Sequence, residues 1–272
     1  MKILTKISMY LFLLIVSFMI LLPFVWMTVT AFKTQIETML VPFTLLPNNL
    51  YLGNFAELFT RGNFGVFYMN TIFVSFWIIF PQLFISSLAA YAFARLEFPF
   101  KNVIFVSMLI ALMVPTQMFV FPRYMLMMSF NWINSLLAII IPGIPSIFTT
   151  FFIRQFFQTI PKELDESAYI DGCSHIKIYL HILLPMSKPA LISMGLLSLT
   201  FAWNDLFWPL IVISSPSRFV LSIGIANFTG QWQTPMNLVM AAALVSMLPL
   251  IILYFFLQKY FITGIATGGV KE

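Results

Sequence analysis

The charged side chains of this chain are concentrated in one short stretch. Charged residues make up only 8% of the 272 positions, yet the stretch IPKELDESAYIDGCSHIKIYLHILLP, residues 160–185, is rich in them. Six fall close together: Lys162, Glu163, Asp165, Glu166, Asp171 and Lys177. Such a cluster of acids and bases in an otherwise apolar chain needs a physical explanation. This stretch is therefore the first candidate for chemistry.

Catalysis and metal binding find little support in the same stretch. Ser174 and Lys177 have the Ser-x-x-Lys spacing of some acyl enzymes, but the partner motifs of those enzymes are absent. His175 and His181 belong to no HExxH motif, so we expect no metal site. The sequence also lacks GxxxxGK followed by Ser or Thr, so we expect it neither to bind nor to hydrolyse ATP. We expect no catalytic residue and no cofactor in this chain.

The composition indicates an integral membrane protein. Hydrophobic residues make up 61% of the sequence and the mean hydropathy is +0.97, whereas soluble domains are about half apolar and a quarter charged. The net charge is +5, but the basic residues are too scattered to follow nucleic-acid phosphates, so we expect no nucleic-acid partner. Cys173 is the single cysteine, which excludes an internal disulfide framework.

Six apolar runs are long enough to cross a bilayer as helices, which takes about 20 residues. Backbone polar groups must be paired in lipid, and the alternation typical of barrel strands is absent, so helices are predicted. The first run, from Ile7 to Phe32, is far longer than the apolar region of a signal peptide, and we expect it to be retained. The predicted spans are Met9–Ala31, Asn70–Ala94, Asn102–Pro122, Asn134–Phe152, Pro189–Ile213 and Asn237–Phe261.

The number of spans and the basic residues predict the orientation. Six spans place both termini on one side of the membrane. With both termini inside, ten of the 14 Lys and Arg residues fall in cytoplasmic segments, as the positive-inside rule favours. The predicted fold class is an all-α integral membrane protein with six transmembrane helices and both termini in the cytoplasm. Residues 160–185 then lie in the cytoplasm, between the fourth and fifth spans.

The fifth span contains an acid, Asp205, among aromatic neighbours. Asp costs about 2.5–3.5 kcal/mol at a helix centre, and the many apolar residues of the run outweigh it, so we expect a continuous span. Aromatic faces stack on sugar rings, and Asn or Asp bonds hydroxyls, so Trp203, Asn204 and Asp205 are a possible substrate path. The alternative is helix packing, with the polar pair as interhelical glue and Trp208 near the outer interface.

The charged stretch has the local signals of two short helices with a break between them. Pro161 suits a first helical turn, and the acids that follow are favoured there by the helix dipole. Gly172 stands where a left-handed residue would end the first helix. Ser174 can cap a second helix, which Pro185 would stop.

Neither short helix is long enough to be stable alone, so other parts of the protein must hold them. Leu164 and Ala168 share one face of the first helix, while Glu163 and Glu166 lie on another. We expect the apolar face to be the held one. An ordinary amphipathic helix that lies on the membrane surface is the alternative.

The stretch ESAYIDG is followed by nine residues and then by ILLP. This pattern resembles the EAA motif of ABC importer permeases. That motif is Glu-Ala-Ala, three residues, Gly, nine residues, then Ile-x-Leu-Pro, and it maps on to Glu166, Ser167, Ala168, Gly172 and 182–185. Serine in place of the first alanine is the departure, and it is small enough to keep close packing. AYAFARLEFPFKN, WNDLFWPL and the end QKYFITGIATGGVKE resemble the carbohydrate branch, which has a maltose-type permease pair.

This resemblance implies the type I ABC importer permease fold and import of a sugar or oligosaccharide. The loop at about 160–185 would dock on a cytoplasmic ATPase, and ATP-driven closure would push on it and tilt the spans. The implied ATPase-coupling residues are Glu163, Glu166, Ser167, Ala168, Asp171 and Gly172. The implied partners are a second homologous permease in a heterodimer, two ATP-binding subunits and an external solute-binding protein. The implied location is the inner membrane of a bacterial-type cell.

The same resemblance, with the spans, divides the chain into three parts. Residues 1–65 hold the first span and an external loop, 66–262 form the core permease domain, and 263–272 form a cytoplasmic tail. An outer loop with the sequence TGQWQTP faces the solute-binding protein in similar permeases. The candidate contacts are Gly230, Gln231, Trp232 and Gln233. A plain surface loop is the alternative.

Two other classes of function stay open at this stage. A stand-alone secondary transporter commonly has inverted repeats with broken helices at matching positions, and no convincing repeat is seen here. A membrane enzyme or assembly factor would need a buried acid–base pair, and Asp205 is the one acid available within a predicted span.

Overall fold

The chain is helical in the part that the structure describes. The computed structural model describes the backbone of residues 2–42, 44–61, 63–229 and 235–269, and the side chains of 5–42, 44–60, 63–228 and 235–260. Within these ranges no strand is formed, and the predicted all-α class is confirmed.

The helices follow one another, and most of the connections between them are short. The N-terminal part contains α1 Lys2–Ala31, α2 Gln35–Met39, α3 Gly53–Arg61 and α4 Phe64–Arg95. The middle contains α5 Lys101–Ala111, a 3-10 turn Thr116–Phe119, α6 Val120–Ser129, α7 Leu137–Gly143, α8 Ile147–Thr159 and α9 Glu163–Ile170. Then come α10 His175–Ile178, a π-helical turn Tyr179–Leu183, α11 Leu184–Met186, α12 Lys188–Asn204, α13 Phe207–Val212, a 3-10 turn Pro216–Arg218, α14 Leu221–Thr229 and α15 Met236–Gly269.

Four stretches of helix in the described part are long and apolar enough to cross a membrane. They are Thr5–Ala31, Phe64–Arg95, Leu137–Thr159 and Met236–Tyr260, and they coincide with the first, second, fourth and sixth predicted spans. Two further pairs of helices qualify only as bent spans, Lys101–Leu112 with Thr116–Ser129 and His175–Met186 with Lys188–Asn204. Length and composition thus give four spans, or six when each bent pair counts as one.

The third predicted span, Asn102–Pro122, is not one continuous helix. α5 ends at Ala111, and the helix resumes at Thr116 after a bend of 97°. Pro115 between them is extended, with φ −57° and ψ 130°, and it has no amide with which to continue α5. The 11 residues of α5 reach about 16 Å, well short of the roughly 30 Å of hydrocarbon. The prediction of one unbroken helix is therefore wrong here.

The fifth predicted span, Pro189–Ile213, is broken as well. α12 ends at Asn204, Asp205 is extended with φ −65° and ψ 115°, and α13 begins at Phe207. Asp205 Oδ1 accepts a hydrogen bond from the Trp208 amide at 3.4 Å. Short acidic side chains compete with helix bonds for backbone amides in this way. Asp205 therefore lies between two helices, and the predicted continuity is wrong at this residue.

Two compact units divide the chain, residues 1–68 with 221–249 and residues 69–220 with 250–272. In the first unit, Thr34 and Glu37 form a capping box at the start of α2, with the Thr34 amide donating to Glu37 Oε2 at 2.8 Å. This hydrogen bond, followed by one that the Asn48 amide donates to Glu37 Oε1 at 3.0 Å, lowers the pKa of Glu37. The segment predicted as an external loop is thus partly helical.

A buried asparagine ties the first unit together. Asn54 is fully buried, and its Nδ2 donates to the carbonyls of Ala31 and Lys33, both at 2.8 Å. Its Oδ1 accepts a hydrogen bond from Asn237 Nδ2 at 2.7 Å. The Asn54 side chain thereby joins α3 to the end of α1 and to the first turn of α15.

We expect Asn54→Leu to destabilise the protein by about 1–3 kcal/mol for each buried group left unpaired. The groups concerned are the two carbonyls and the Asn237 amide described above. Thermal unfolding of the chain in mild detergent measures the change. Asn49→Leu makes the same substitution at an exposed position and is the matched control. Equal unfolding midpoints for the two variants would contradict this role.

The second unit is built on a buried apolar cluster. Its residues come from α4, α8, α12 and the charged stretch that the sequence singles out: Ala90, Tyr91, Ala94, Ile153, Phe157, Ile160, Ala168, Ile178, Tyr179, Leu183 and Met194. The two short helices of the charged stretch are therefore held by burial of their own apolar side chains, which offsets the marginal stability of each helix alone.

Candidate functional site

The charged stretch has the predicted order of helix, glycine and helix. We call residues 160–187 the coupling segment. Its first helix is α9, and its second runs from His175 to Met186 through α10, the π-helical turn and α11. Turns of π-helix are frequent at functional sites.

Gly172 ends α9 in a Schellman motif. Its φ is +78°, in the left-handed region that favours glycine. The Gly172 amide donates to the Tyr169 carbonyl at 3.0 Å, and the Cys173 amide donates to the Ala168 carbonyl at 2.9 Å. These bonds satisfy carbonyls at the helix end, as the motif requires. The predicted glycine break is confirmed.

The second helix differs from the prediction in its details. Ser174 precedes it in an extended conformation, but its side chain makes no capping hydrogen bond. The helix runs through Pro185 and ends at Met186, two residues beyond the predicted end at Leu184, so the predicted stop at Pro185 is wrong. The π-helical turn just before Pro185 loosens the helix where the ring would meet the carbonyl four residues earlier.

The buried face of α9 is not the predicted one. Ala168 is 7% exposed and packs in the cluster, but Leu164 is 38% exposed. The second inward side chain is Asp165, three residues before Ala168 and 8% exposed. The prediction of a Leu164 and Ala168 face is therefore wrong, because an ion pair takes Asp165 inside.

That ion pair joins the coupling segment to α4. The Asp165 carboxylate contacts the Arg95 guanidinium, and the two side chains are 11% and 6% exposed. Sequence reasoning did not single out Asp165 as a functional residue, because it is one of six charged residues in the same short stretch. The available signal was Arg95, the last residue of a long apolar run.

The outer surface of the coupling segment carries the other acids. Glu163, Glu166, Ser167, Asp171 and Gly172 are all exposed. Exposed apolar side chains lie among them: Leu164, Ile170 and Ile176, at 38%, 87% and 70%. A Cβ added at Gly172 would meet no atom of this chain within 4 Å. Apolar side chains rimmed by acids are typical of a surface that binds another protein.

A cavity of about 880 Å³ lies where the two broken spans meet α4, α7 and α8. It lies within the second unit, and its lining includes Asp205 at the break in the fifth span and Thr116 and Gln117 just after the break in the third. Amides and hydroxyls are present among its mostly apolar lining, on Gln82, Gln117, Ser146, Thr149, Ser198 and Asn204. Discontinuous helices commonly line the substrate sites of membrane transporters.

The structure brings two of the three predicted substrate-path residues to this cavity. Asn204 and Asp205 line it, whereas Trp203 is 6% exposed and does not. Trp208 and Arg123 also line it. The Arg123 guanidinium lies 4.6 Å from the centre of the Trp208 ring and donates to the Pro142 carbonyl at 2.7 Å.

Gln82 is a polar lining residue that the sequence analysis missed. It is buried, and its Nε2 donates to Thr149 Oγ1 at 2.8 Å and to Ser198 Oγ at 2.9 Å. These bonds join α4 to α8 and α12 beside the cavity. A single amide inside a long apolar run is the signal that would have identified it.

Two further predictions concern the contacts with a solute-binding protein and the binding of metal ions. Gly230, Gln231, Trp232 and Gln233, the candidate contacts of a solute-binding protein, lie outside the described residues. For metal binding, no group of three or more His, Cys, Asp or Glu side chains comes together in the described ranges.

A protein-family model matches most of this chain. The model for the binding-protein-dependent transport system inner membrane component matches residues 82–267, which is more than half of the chain and includes the coupling segment. The chain belongs to this family. It is therefore an inner-membrane component, and the EAA motif is the one characteristic of the family.

Curated relatives cover nearly the whole chain. It is 34% identical over 259 residues to the arabinooligosaccharides transport system permease protein AraQ of Halalkalibacterium halodurans, with 94% of this chain and 93% of the relative covered. It is 30% identical over 237 residues to the sn-glycerol-3-phosphate transport system permease protein UgpE of Pectobacterium atrosepticum, with 84% of each chain covered.

A solved structure shows the same fold. The chain matches, with a TM-score of 0.85 and 20% identity, a chain from a bacterial ABC transporter involved in the import of the acidic polysaccharide alginate. The match covers 95% of this chain and 96% of that one. The predicted type I ABC importer permease fold is confirmed.

The family decides between the classes of function that the sequence left open. The chain is a permease subunit of an ABC importer, a non-catalytic membrane component. A secondary transporter and a membrane enzyme are excluded as descriptions of it. Permeases of this kind work with a solute-binding protein and with ATPase subunits.

Proposed function

We propose that this permease forms half of the membrane path for a sugar or oligosaccharide. The observation that carries the proposal is the cavity, with its amides, hydroxyls and aromatic rings at two helix breaks. Sugars offer hydroxyls for such groups and apolar ring faces for aromatic side chains. The similarity to a permease named for arabinooligosaccharides supports this substrate class. Asn204, Asp205 and Trp208 are the proposed contacts, whereas Trp203 is buried and does not line the cavity.

We propose that the outer surface of the coupling segment docks on an ATPase subunit. Its exposed Glu163, Glu166, Ser167 and Asp171 and the open space at Gly172 support this role. Ala168 contributes from beneath, because it holds α9 in the buried cluster. Movement of the ATPase subunits would then displace the coupling segment directly.

The proposed topology has six spans with both termini in the cytoplasm. Its third span combines α5 with α6, and its fifth combines α12 with α13, so that His175–Met186 stays in the coupling segment. This topology keeps most basic residues inside. The proposed complex contains a second homologous permease as a heterodimer partner and two ATP-binding subunits, and it receives substrate from an external solute-binding protein. Residues 230–233 are the proposed contacts with that protein, and we propose that this chain works without a cofactor.

The first experiment is purification of the tagged chain from its own cells in mild detergent, with mass spectrometry of its partners. We expect a P-loop ATPase and a second permease to co-purify. The complex is then placed in proteoliposomes with its solute-binding protein, and uptake of labelled arabinotriose and of sn-glycerol 3-phosphate is measured. If the chain is recovered without partners, and is also found without partners in intact membranes, the proposed complex is contradicted. Uptake of glycerol phosphate without uptake of the saccharide would contradict the carbohydrate class.

A further inference from the structure

The last turns of α4 present a row of polar side chains to the coupling segment. Ser87, Tyr91 and Arg95 follow one another at intervals of four, which places them on one face of the helix. Each contacts a different part of the coupling segment. We call these three residues the α4 stripe.

Arg95 contacts the start of the segment. Besides its ion pair with Asp165, its Nη2 donates to the Ile160 carbonyl at 2.8 Å. Ile160 follows the last residue of α8, where carbonyls lack helical partners and a cation is favoured by the helix dipole. One buried guanidinium therefore holds both the end of α8 and the first turn of α9.

Tyr91 and Ser87 contact the second helix of the segment. The Tyr91 hydroxyl lies 3.1 Å from His175 Nδ1, at the first residue of that helix. The Ser87 and Tyr179 hydroxyls are 2.7 Å apart and share a hydrogen bond in the buried cluster. The Tyr91 and Tyr179 rings also pack together, with centroids 5.5 Å apart. The stripe thus engages both helices of the coupling segment.

The same helix reaches the cavity. Gln82 lies 13 positions before Arg95 on α4, which is about 20 Å along a helix axis. Its bonds to Thr149 and Ser198 connect α4 to two other helices at the cavity wall. A helix without a break spans the distance between Gln82 and Arg95.

We propose that Ser87, Tyr91 and Arg95 are positioning residues that clamp the coupling segment to α4, so that displacement of the segment by the ATPases moves α4 and the cavity wall at Gln82. The proposal rests on the docking role proposed for the segment. Sliding of the segment along α4 would leave a buried carboxylate and guanidinium unpaired, which is strongly unfavourable. Movement of the coupling segment and α4 as one body keeps every hydrogen bond and the ion pair of the α4 stripe.

The test measures how accessible the cavity is to a labelling reagent, with and without trapping by ATP and vanadate. Asn204 is exposed and lines the cavity, so Asn204→Cys in a Cys173→Ser background reports cavity access through labelling by a water-soluble maleimide. The full complex is labelled in proteoliposomes without nucleotide and after trapping with ATP and vanadate. We expect the labelling rate to change at least about fivefold between these states. ATP hydrolysis is measured on the same samples.

Three variants interrupt the clamp: Arg95→Gln, Asp165→Asn, and Tyr91→Phe combined with Tyr179→Phe. We expect ATP hydrolysis to stay within about twofold of the reference while the ATP-dependent change in labelling falls below about twofold. Arg154→Gln is the matched control. Arg154 also donates to α4, at the Phe93 carbonyl at 3.2 Å, but from α8 and outside the stripe.

Each outcome bears on a different claim. A full change in labelling in all three variants overturns the clamp, and so does an equal loss in Arg154→Gln. If Arg95→Gln fails to assemble, the double tyrosine variant decides, because it removes two hydroxyls and keeps both rings. If the reference complex contains no ATPase subunit, the proposed docking function fails, and the clamp with it.

Discussion

We expect Gly172→Trp to lower ATP-driven uptake at least about 100-fold, equivalent to about 2.7 kcal/mol of docking free energy, with normal membrane insertion. A Cβ at Gly172 meets no atom of this chain within 4 Å. The indole would therefore project from the coupling segment into the space that the ATPase is proposed to occupy. The steric clash falls on the partner, so the permease itself stays folded.

Two milder substitutions separate this clash from backbone strain. The left-handed conformation of Gly172, φ +78°, costs an ordinary residue about 1–2 kcal/mol, and asparagine tolerates it better. We expect uptake near wild type for Gly172→Asn, a modest loss for Gly172→Ala and complete loss for the tryptophan variant. Co-purification of the ATPase with each variant should follow the same order. An equal loss with alanine and tryptophan would assign the effect to strain and contradict docking.

The second large effect is expected at Trp208, in the cavity wall. Its side chain is 4% exposed, and its Nε1 donates to the Ala138 carbonyl at 2.8 Å. We expect Trp208→Ala to destabilise the permease by about 3–5 kcal/mol, the usual loss for a buried tryptophan. The substitution also removes the ring beneath the Arg123 guanidinium. Thermal unfolding of the purified complex in detergent measures the loss.

The controls for Trp208 separate ring burial from the hydrogen bond. Trp77→Ala makes the same substitution where the side chain is 46% exposed, and we expect a much smaller loss. Trp208→Phe keeps an aromatic ring but leaves the Ala138 carbonyl without its donor, so we expect about 1–3 kcal/mol. A loss in Trp208→Ala no larger than that in Trp77→Ala would show that the ring does not support the cavity wall.

Local patterns were sufficient for the class of protein and for the outline of the coupling segment. An apolar run of about 20 residues has few alternatives to a membrane helix, so composition alone predicted four of the spans well. The glycine between two helices depends on the backbone at one residue, which Gly172 satisfies with its left-handed φ. The EAA spacing lies within one short stretch and needed no tertiary information.

The buried face of α9 depended on a residue far away in the sequence. Leu164 and Asp165 are neighbours, and hydrophobicity favoured burial of the leucine. Arg95, at the end of α4, compensates the carboxylate, and Asp165 is buried in its place. A charge is buried only where a partner exists, and the partner becomes visible only when the two helices are packed.

The breaks in the third and fifth spans also needed the tertiary structure. The sequence by itself determined that both runs belong in the membrane, because apolar content is a property of each run alone. Whether Pro115 and Asp205 interrupt a helix depends on what satisfies the freed backbone groups. In the folded protein, Asp205 accepts from the Trp208 amide, and that ring packs on Arg123. The cavity exists because packing of several helices stabilises these breaks, and no single stretch of sequence contains that information.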